Sequence, residues 1–310
     1  MDRRSLVASL ASLPAALGLG VSAASAQVTP LRIGVALADG FSQSDYALDK
    51  GFFKAAGFDV TLMTLPTGAA IAAAVAGGAI DIGISNVAQL ASAIARNIPF
   101  VLIAGGGLSN ASAKLVVLND SPFKTPKDLI GKTVAVEALG DLTQIAPSAW
   151  LEQNGVDFHK VHFIEIHFPE MSAALSRGTV DSAMIGEPFL SAIVGTTARI
   201  LANPYAAIAP AFMVSAWFAT RDFVAKNRDT VKRFASVMSD TARWANANHD
   251  QSAEILAKYT HIDPTVISRM TRALYATSLD PQQILPLLTQ LYKFRATDKP
   301  LTVADVVATS

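Results

Sequence analysis

Lys114-Leu115-Val116-Val117-Leu118, the turn-rich run from Asn119 to Lys127, and then Asp128-Leu129-Ile130-Gly131-Lys132-Thr133-Val134-Ala135-Val136 mark the place where this chain starts its pattern over. Before that stretch, short β-branched runs alternate with helix-like runs. Leu31 to Ala36, Phe58 to Leu62, Ile80 to Ile84 and Phe100 to Ala104 read as strands. Tyr46 to Ala56, ending at the cap glycine Gly57, and the small-residue run Ala69 to Ala76 read as helices. After the stretch the rhythm restarts. Thr133 to Glu137, Val161 to Ile166 and Ser182 to Ile185 read as strands; Leu142 to Gln153, Met171 to Arg177 and Pro188 to Val194 read as helices. A segment after Asn203-Pro204 reads as loop, Met213 to Thr220 as a strand again, and the remainder as mainly helical. Val231, Phe234, Ala235, Met238, Ala242 and Ala245 hold the three-to-four spacing of one apolar helix face.

Two runs of one α/β pattern predict two Rossmann-like lobes. The C-terminal helices need a core to cover, which the first lobe offers. The expected division is residues 27–116 with 215–310 for lobe 1 and 117–214 for lobe 2. The two strand-like segments at Leu115–Leu118 and Met213–Thr220 are expected to form a two-strand hinge. Periodicity alone also accommodates one large doubly wound domain.

Working outward to the N-terminus, residues 1–26 read as an export signal. Arg3 and Arg4 form a basic head, an apolar run extends from Leu6 to Val21, and Ala24-Ser25-Ala26 is a small-x-small cleavage site. Pro14, Gly18 and Gly20 interrupt the run, which falls short of the roughly 20 apolar residues of a membrane span. The general secretory route and, from the paired arginines, the twin-arginine route both fit. The mature protein, starting at Gln27, is expected in the periplasm.

Of the 310 residues, 25 are basic and 25 acidic. Removing Asp2, Arg3 and Arg4 leaves the mature chain at −1, which supplies no electrostatic attraction to nucleic acid or anionic lipid. There is no cysteine, so disulfides, thiol nucleophiles and thiolate-held metals are excluded. His159-x-x-His162 lacks a third ligand at sensible spacing, so no metal is expected there. Gly105-Gly106-Gly107 is not followed by the Lys-Ser/Thr of a phosphate loop, and Ser148 and Ser191 lie in no Gly-x-Ser-x-Gly frame. No cofactor is expected.

The order of segments resembles the type II periplasmic solute-binding proteins of importers for nitrate, sulfonates, taurine and thiamine precursors. The likeness covers about Leu31 to Ala257. It is carried by Gly51-Phe52-Phe53 with Ala56-Gly57-Phe58-Asp59-Val60, by Ala73-x-x-x-Gly77 with Ile80-Asp81-Ile82, and by Asp128 to Val136. Ala173-Ala174-Leu175-x-x-Gly178-x-Val180-Asp181-Ser182 with Glu187-Pro188 completes the series. The resemblance implies a two-lobed, monomeric receptor: a non-enzymatic protein that closes on a small organic solute and docks on the permease of an ABC importer. It also admits an enzyme of thiamine-pyrimidine or menaquinone type on the same fold, and a ligand-sensing module for a receptor kinase. Where the nitrate and sulfonate branches commonly carry a hydroxyl-bearing pair, this chain has Leu139-Gly140-Asp141-Leu142-Thr143, so no ligand is carried over.

In such folds ligands sit at the carboxyl ends of strands, where loops enter helices. The candidate binding residues are therefore Phe41, Ser42 and Gln43 after the first strand, Ser85 and Asn86 after the third, and Gly140, Asp141 and Thr143 at the matching turn of lobe 2. His167 and Phe168 end another strand. Glu187 stands at the position the resemblance places in the cleft wall, where a carboxylate suits a ligand amine or amide N–H. A structural helix cap is the alternative role for Glu187, as for Ser85 and Asn86.

Overall fold

A computed structural model describes residues 28–109 and 112–308; the export signal read at residues 1–26 lies outside them. The described residues form two five-stranded mixed sheets flanked by helices. The first sheet contains β1 (Thr29–Val35), β2 (Phe58–Thr64), β3 (Ile82–Asn86), β4 (Phe100–Gly105) and β10 (Ser215–Thr220), in the order β2-β1-β3-β10-β4. The second contains β5 (Ala113–Leu118), β6 (Thr133–Val136), β7 (His162–Glu165), β8 (Ser182–Gly186) and β9 (Ala198–Ala202), in the order β7-β6-β8-β5-β9. In both, three parallel strands are followed by one antiparallel strand and then an edge strand.

The fourth strand of each sheet is the one that enters from the other half of the chain. β5 is the first strand after the first sheet, and β10 the first after the second. Each is hydrogen-bonded on both edges within its own sheet, β5 to β8 and β9, β10 to β3 and β4. Both strands belong wholly to one sheet, because both ladders of each are used there. The chain crosses just before them, between Gly105 and Ala113 and between Ala202 and Ser215. The crossings touch: the Ser109 amide donates to the Phe212 carbonyl at 2.8 Å, and the Phe212 amide to the Ser109 hydroxyl at 2.9 Å.

Packing follows from the local sequence. Leu31, Ile33 and Val35 alternate on β1 and are all buried, the period-two signature of a strand over a core. The Gly68–Ala76 helix, rich in alanine, lies so close to the sheet that a Cβ on Gly34 or Gly83 would meet the Ile71 side chain at 2.9 or 2.4 Å. The Arg228–Ala247 helix buries Val231, Phe234, Met238, Ala242 and Ala245, and sets Phe234 against Trp217 and Phe53. The Pro281–Lys293 helix packs on both the Val87–Ala95 helix behind the first sheet and the Leu142–Gln153 helix behind the second. Its Ile284, Leu287, Leu288 and Leu291 join a buried cluster containing residues from both sheets. The C-terminal helices therefore do more than cover the first sheet. Among the described residues no helix is long and apolar enough to cross a membrane.

Candidate functional site

The parallel strands of the two sheets end in loops that enter helices, and those loops enclose one cavity of about 330 Å³. That is at the lower end of the range for small-molecule sites. From the first sheet come the loop after β1 (Ala36–Phe41), the start of the Gly68–Ala76 helix, and Asn86 with Gln89 after β3. The second contributes Glu137, Asp141 and Thr143 after β6, Glu165, His167 and Phe168 at the end of β7, and Glu187 after β8. Tyr205, Ser215 and Ala273 complete it from the return crossing and the C-terminal region.

Seven candidate residues from the sequence line this cavity: Phe41, Asn86, Asp141, Thr143, His167, Phe168 and Glu187. Four do not. Gln43 is fully buried in the first core, where its amide donates to the Met238 carbonyl at 2.6 Å and accepts from the Trp217 indole at 2.7 Å. With both ends of its amide so used, it is a core-bonding residue. The Ser42 hydroxyl turns back to the Ala38 carbonyl at 3.2 Å. Ser85 is buried beneath the start of the Gly68–Ala76 helix, so tightly that a Cβ on Gly68 would meet its Oγ at 2.4 Å; its hydroxyl donates to Gln89 at 3.1 Å. Gly140, at φ +77°, is a turn residue whose amide donates to the Gln144 side chain at 2.6 Å.

The helix starts of the second sheet hold the chain's own acids. Asp141 caps the Leu142–Gln153 helix: its Oδ1 accepts the Thr143 amide at 2.8 Å and the Thr143 hydroxyl at 2.5 Å. The Thr143 hydroxyl in turn accepts the Glu137 amide at 2.8 Å. Glu137 accepts the Phe168 amide at 2.8 Å, at the start of the Phe168–Ser176 helix, and faces His167 Nδ1 at 3.2 Å. Glu187 accepts the Ser191 amide at 3.0 Å and the Ser191 hydroxyl at 2.9 Å, and also the Thr271 amide at 3.1 Å. It is thus a helix-capping acid and a tie to the C-terminal region while lining the cavity. Burial pushes the Asp141 carboxyl up to about 7, against the pull of its Thr143 bonds. Burial also raises Glu137 and Glu187, in part offset by the N–H groups they accept.

On the first sheet's side, Asp39 is 2% exposed and paired with Arg272, whose Nε and Nη2 lie 3.1 and 3.2 Å from its carboxylate. The Ala273 amide at 2.6 Å and the Tyr46 hydroxyl at 3.0 Å donate to the same carboxylate. The Tyr275 hydroxyl donates to the Asp39 carbonyl. Burial opposes the charge on Arg272, yet Asp39 and the tyrosines outweigh it and hold the guanidinium firmly protonated.

Glu137 and Glu165 were legible in principle, since each stands at the end of a strand like Asn86. Asp39 lies two residues before Phe41 in the loop after the first strand, but its pairing with a residue 233 positions away carries no sequence signal. Tyr205, Ser215 and Ala273 had no signal at all. Among the described residues no group of three or more histidine, aspartate or glutamate side chains is arranged to hold a metal ion.

Two α/β sheets with a shared cavity at their strand ends define a class, and the sequence agrees with it. Residues 43–252 match the NMT1/THI5 like family, and the chain belongs to it. It is 28% identical over 203 residues to the taurine-binding periplasmic protein of Escherichia coli, an alignment that covers 65% of this chain and 62% of that protein. The chain thus spans less than two thirds of that relative's length. The fold is that of the alkanesulfonate-binding protein SsuA of Xanthomonas axonopodis pv. citri, solved bound to MOPS. That structure shares 20% identity and a TM-score of 0.77 over 92% of this chain and 99% of its own. A desulfurization enzyme, DSZB, shares the fold as well, at 16% identity and a TM-score of 0.67 over 91% of this chain and 97% of its own.

Proposed function

We propose that the chain is an extracytoplasmic solute receptor that encloses a small organic molecule between its two sheets and delivers it to the membrane permease of an ABC importer. The observation that carries this reading is the cavity at the strand ends of both sheets, walled from both sides. A ligand there touches two sheets joined by the two crossings and by the Pro281–Lys293 helix packed behind both, so binding energy favours the arrangement in which both make contact. The names of the taurine- and alkanesulfonate-binding relatives agree with a receptor role. The acids around the cavity support binding over catalysis. Asp141, Glu137 and Glu187 each accept N–H or hydroxyl donors that fix their helices. The working unit is a monomer in the periplasm, with lobe 1 built on the first sheet and lobe 2 on the second.

Solution scattering tests the closure. The radius of gyration is expected to fall when a saturating solute is added, because bending at the two crossings brings the sheets together. An unchanged radius at proven saturation would contradict a closing receptor.

A further inference from the structure

We infer that the cavity takes an organic cation, and that an anion such as a sulfonate is rejected. This rests on the receptor reading above and concerns the same site. Five carboxylates line the cavity, from Asp39, Glu137, Asp141, Glu165 and Glu187, and among the described residues no lysine or arginine lines it. Arg272 stands behind the wall and is committed to Asp39. The remaining four are Glu137, Asp141, Glu165 and Glu187, and the one basic lining side chain among the described residues, His167, already lies against Glu137.

Helix N-termini bind anions through unpaired N–H groups and the positive end of the helix dipole. In the second sheet those groups are already taken by carboxylates of the chain: Thr143 N–H by Asp141, Phe168 N–H by Glu137 and Ser191 N–H by Glu187. A sulfonate placed there meets like charge in a low-dielectric pocket and finds these three donors occupied. On the first sheet's side Thr67 accepts the Ala70 amide and Asn86 the Ala88 amide, each within the first turn of its own helix.

A cation meets the opposite situation. Glu137 attracts it, as does Asp141 once ionised above about pH 7, and both carry oxygens that accept further N–H donors. Phe41, Phe168 and Tyr205 bring aromatic rings to the same cavity, which suits a desolvated ammonium or guanidinium. A metal cation is a poorer fit, since among the described residues no three suitable side chains gather to ligate one.

The test is calorimetry with defined probes: choline, histamine and agmatine as cations, ethanesulfonate and nitrate as anions. It is repeated on a variant carrying Glu137→Gln and Asp141→Asn. Asparagine keeps the cap on Thr143 and glutamine keeps an acceptor for Phe168, so the fold is retained; Glu137→Gln alone serves if the pair melts. The expected result is that at least one cation binds, that neither anion does, and that the variant binds that cation roughly ten- to a hundredfold more weakly, the range for a hydrogen bond to a charged group. Binding of ethanesulfonate or nitrate without any cation would overturn the cation assignment and leave the receptor standing. Mass spectrometry of solute released by denaturing the purified protein reads the same question through the charge of that solute. If no probe binds and no solute is released, the receptor reading itself fails.

Discussion

Arg272→Met is expected to destabilise the protein by about 3–5 kcal/mol, the cost of removing one partner from a buried ion pair. Asp39 would then stand 2% exposed with its charge uncompensated, held only by the Ala273 amide and the Tyr46 hydroxyl. Arg272 also donates to the His249 carbonyl at 3.0 Å and the Ser252 hydroxyl at 3.1 Å, so the substitution loosens the helix that follows Asn248. The loss should appear as a lower urea midpoint with an unchanged slope. Adding Asp39→Asn to the Arg272→Met chain removes the stranded charge and should recover part of the loss. A second substitution that only deepened it would show that the charge was not the cause.

The second large effect is a dependence of stability on pH that runs through Asp141. Its neighbours are Glu137, whose charge opposes ionisation, the Tyr205 hydroxyl, and the Thr143 and Gln144 groups that hydrogen-bond it. The folded carboxyl titrates at about 7 and the ordinary value is 3.8. Well below the ordinary value both folded and unfolded chains hold this proton. Between about pH 4 and 7 the folded chain binds more protons than the unfolded one, so stability falls as pH rises through that window. The gap caps the contribution at about 4 kcal/mol by pH 8. Glu137 and Glu187 act in the same direction, so the slope in Asp141→Asn should shrink without vanishing. Asparagine retains the helix cap, so the variant should be more stable than the parent at about pH 8 and close to it at about pH 4. Thermal melts of both chains at the two pH values decide this.

Much of the fold was legible because strands and helices announce themselves locally. The alternation of Leu31, Ile33 and Val35, and the restart at Thr133 to Val136, place two sheets without any long-range information. The sheet to which each joining strand belongs was less legible. A short apolar run such as Leu115 to Leu118 reads equally well as a bridge between lobes and as a sheet strand. This one is paired on both edges, which only the partners β8 and β9 decide. The site divided along the same line. Phe41, Asn86, Asp141, Thr143, His167, Phe168 and Glu187 were legible as cavity lining, because a loop after a parallel strand opens on the cleft. The same reasoning misplaced Gln43, since a glutamine at a helix start looks free until Trp217, 174 positions later, is folded onto it. It had no means of finding Tyr205 or Ala273, which reach the cavity from a crossing and a C-terminal loop.

The claim on which everything else depends is that one solute touches both sheets at once. Hydrogen exchange with the tightest-binding probe measures it directly. Slower exchange is expected together in the peptides covering residues 36–41 and 86–89 of the first sheet and residues 137–143 and 186–191 of the second. Protection confined to one sheet's loops, or found only away from all four segments, would contradict a ligand held between the two.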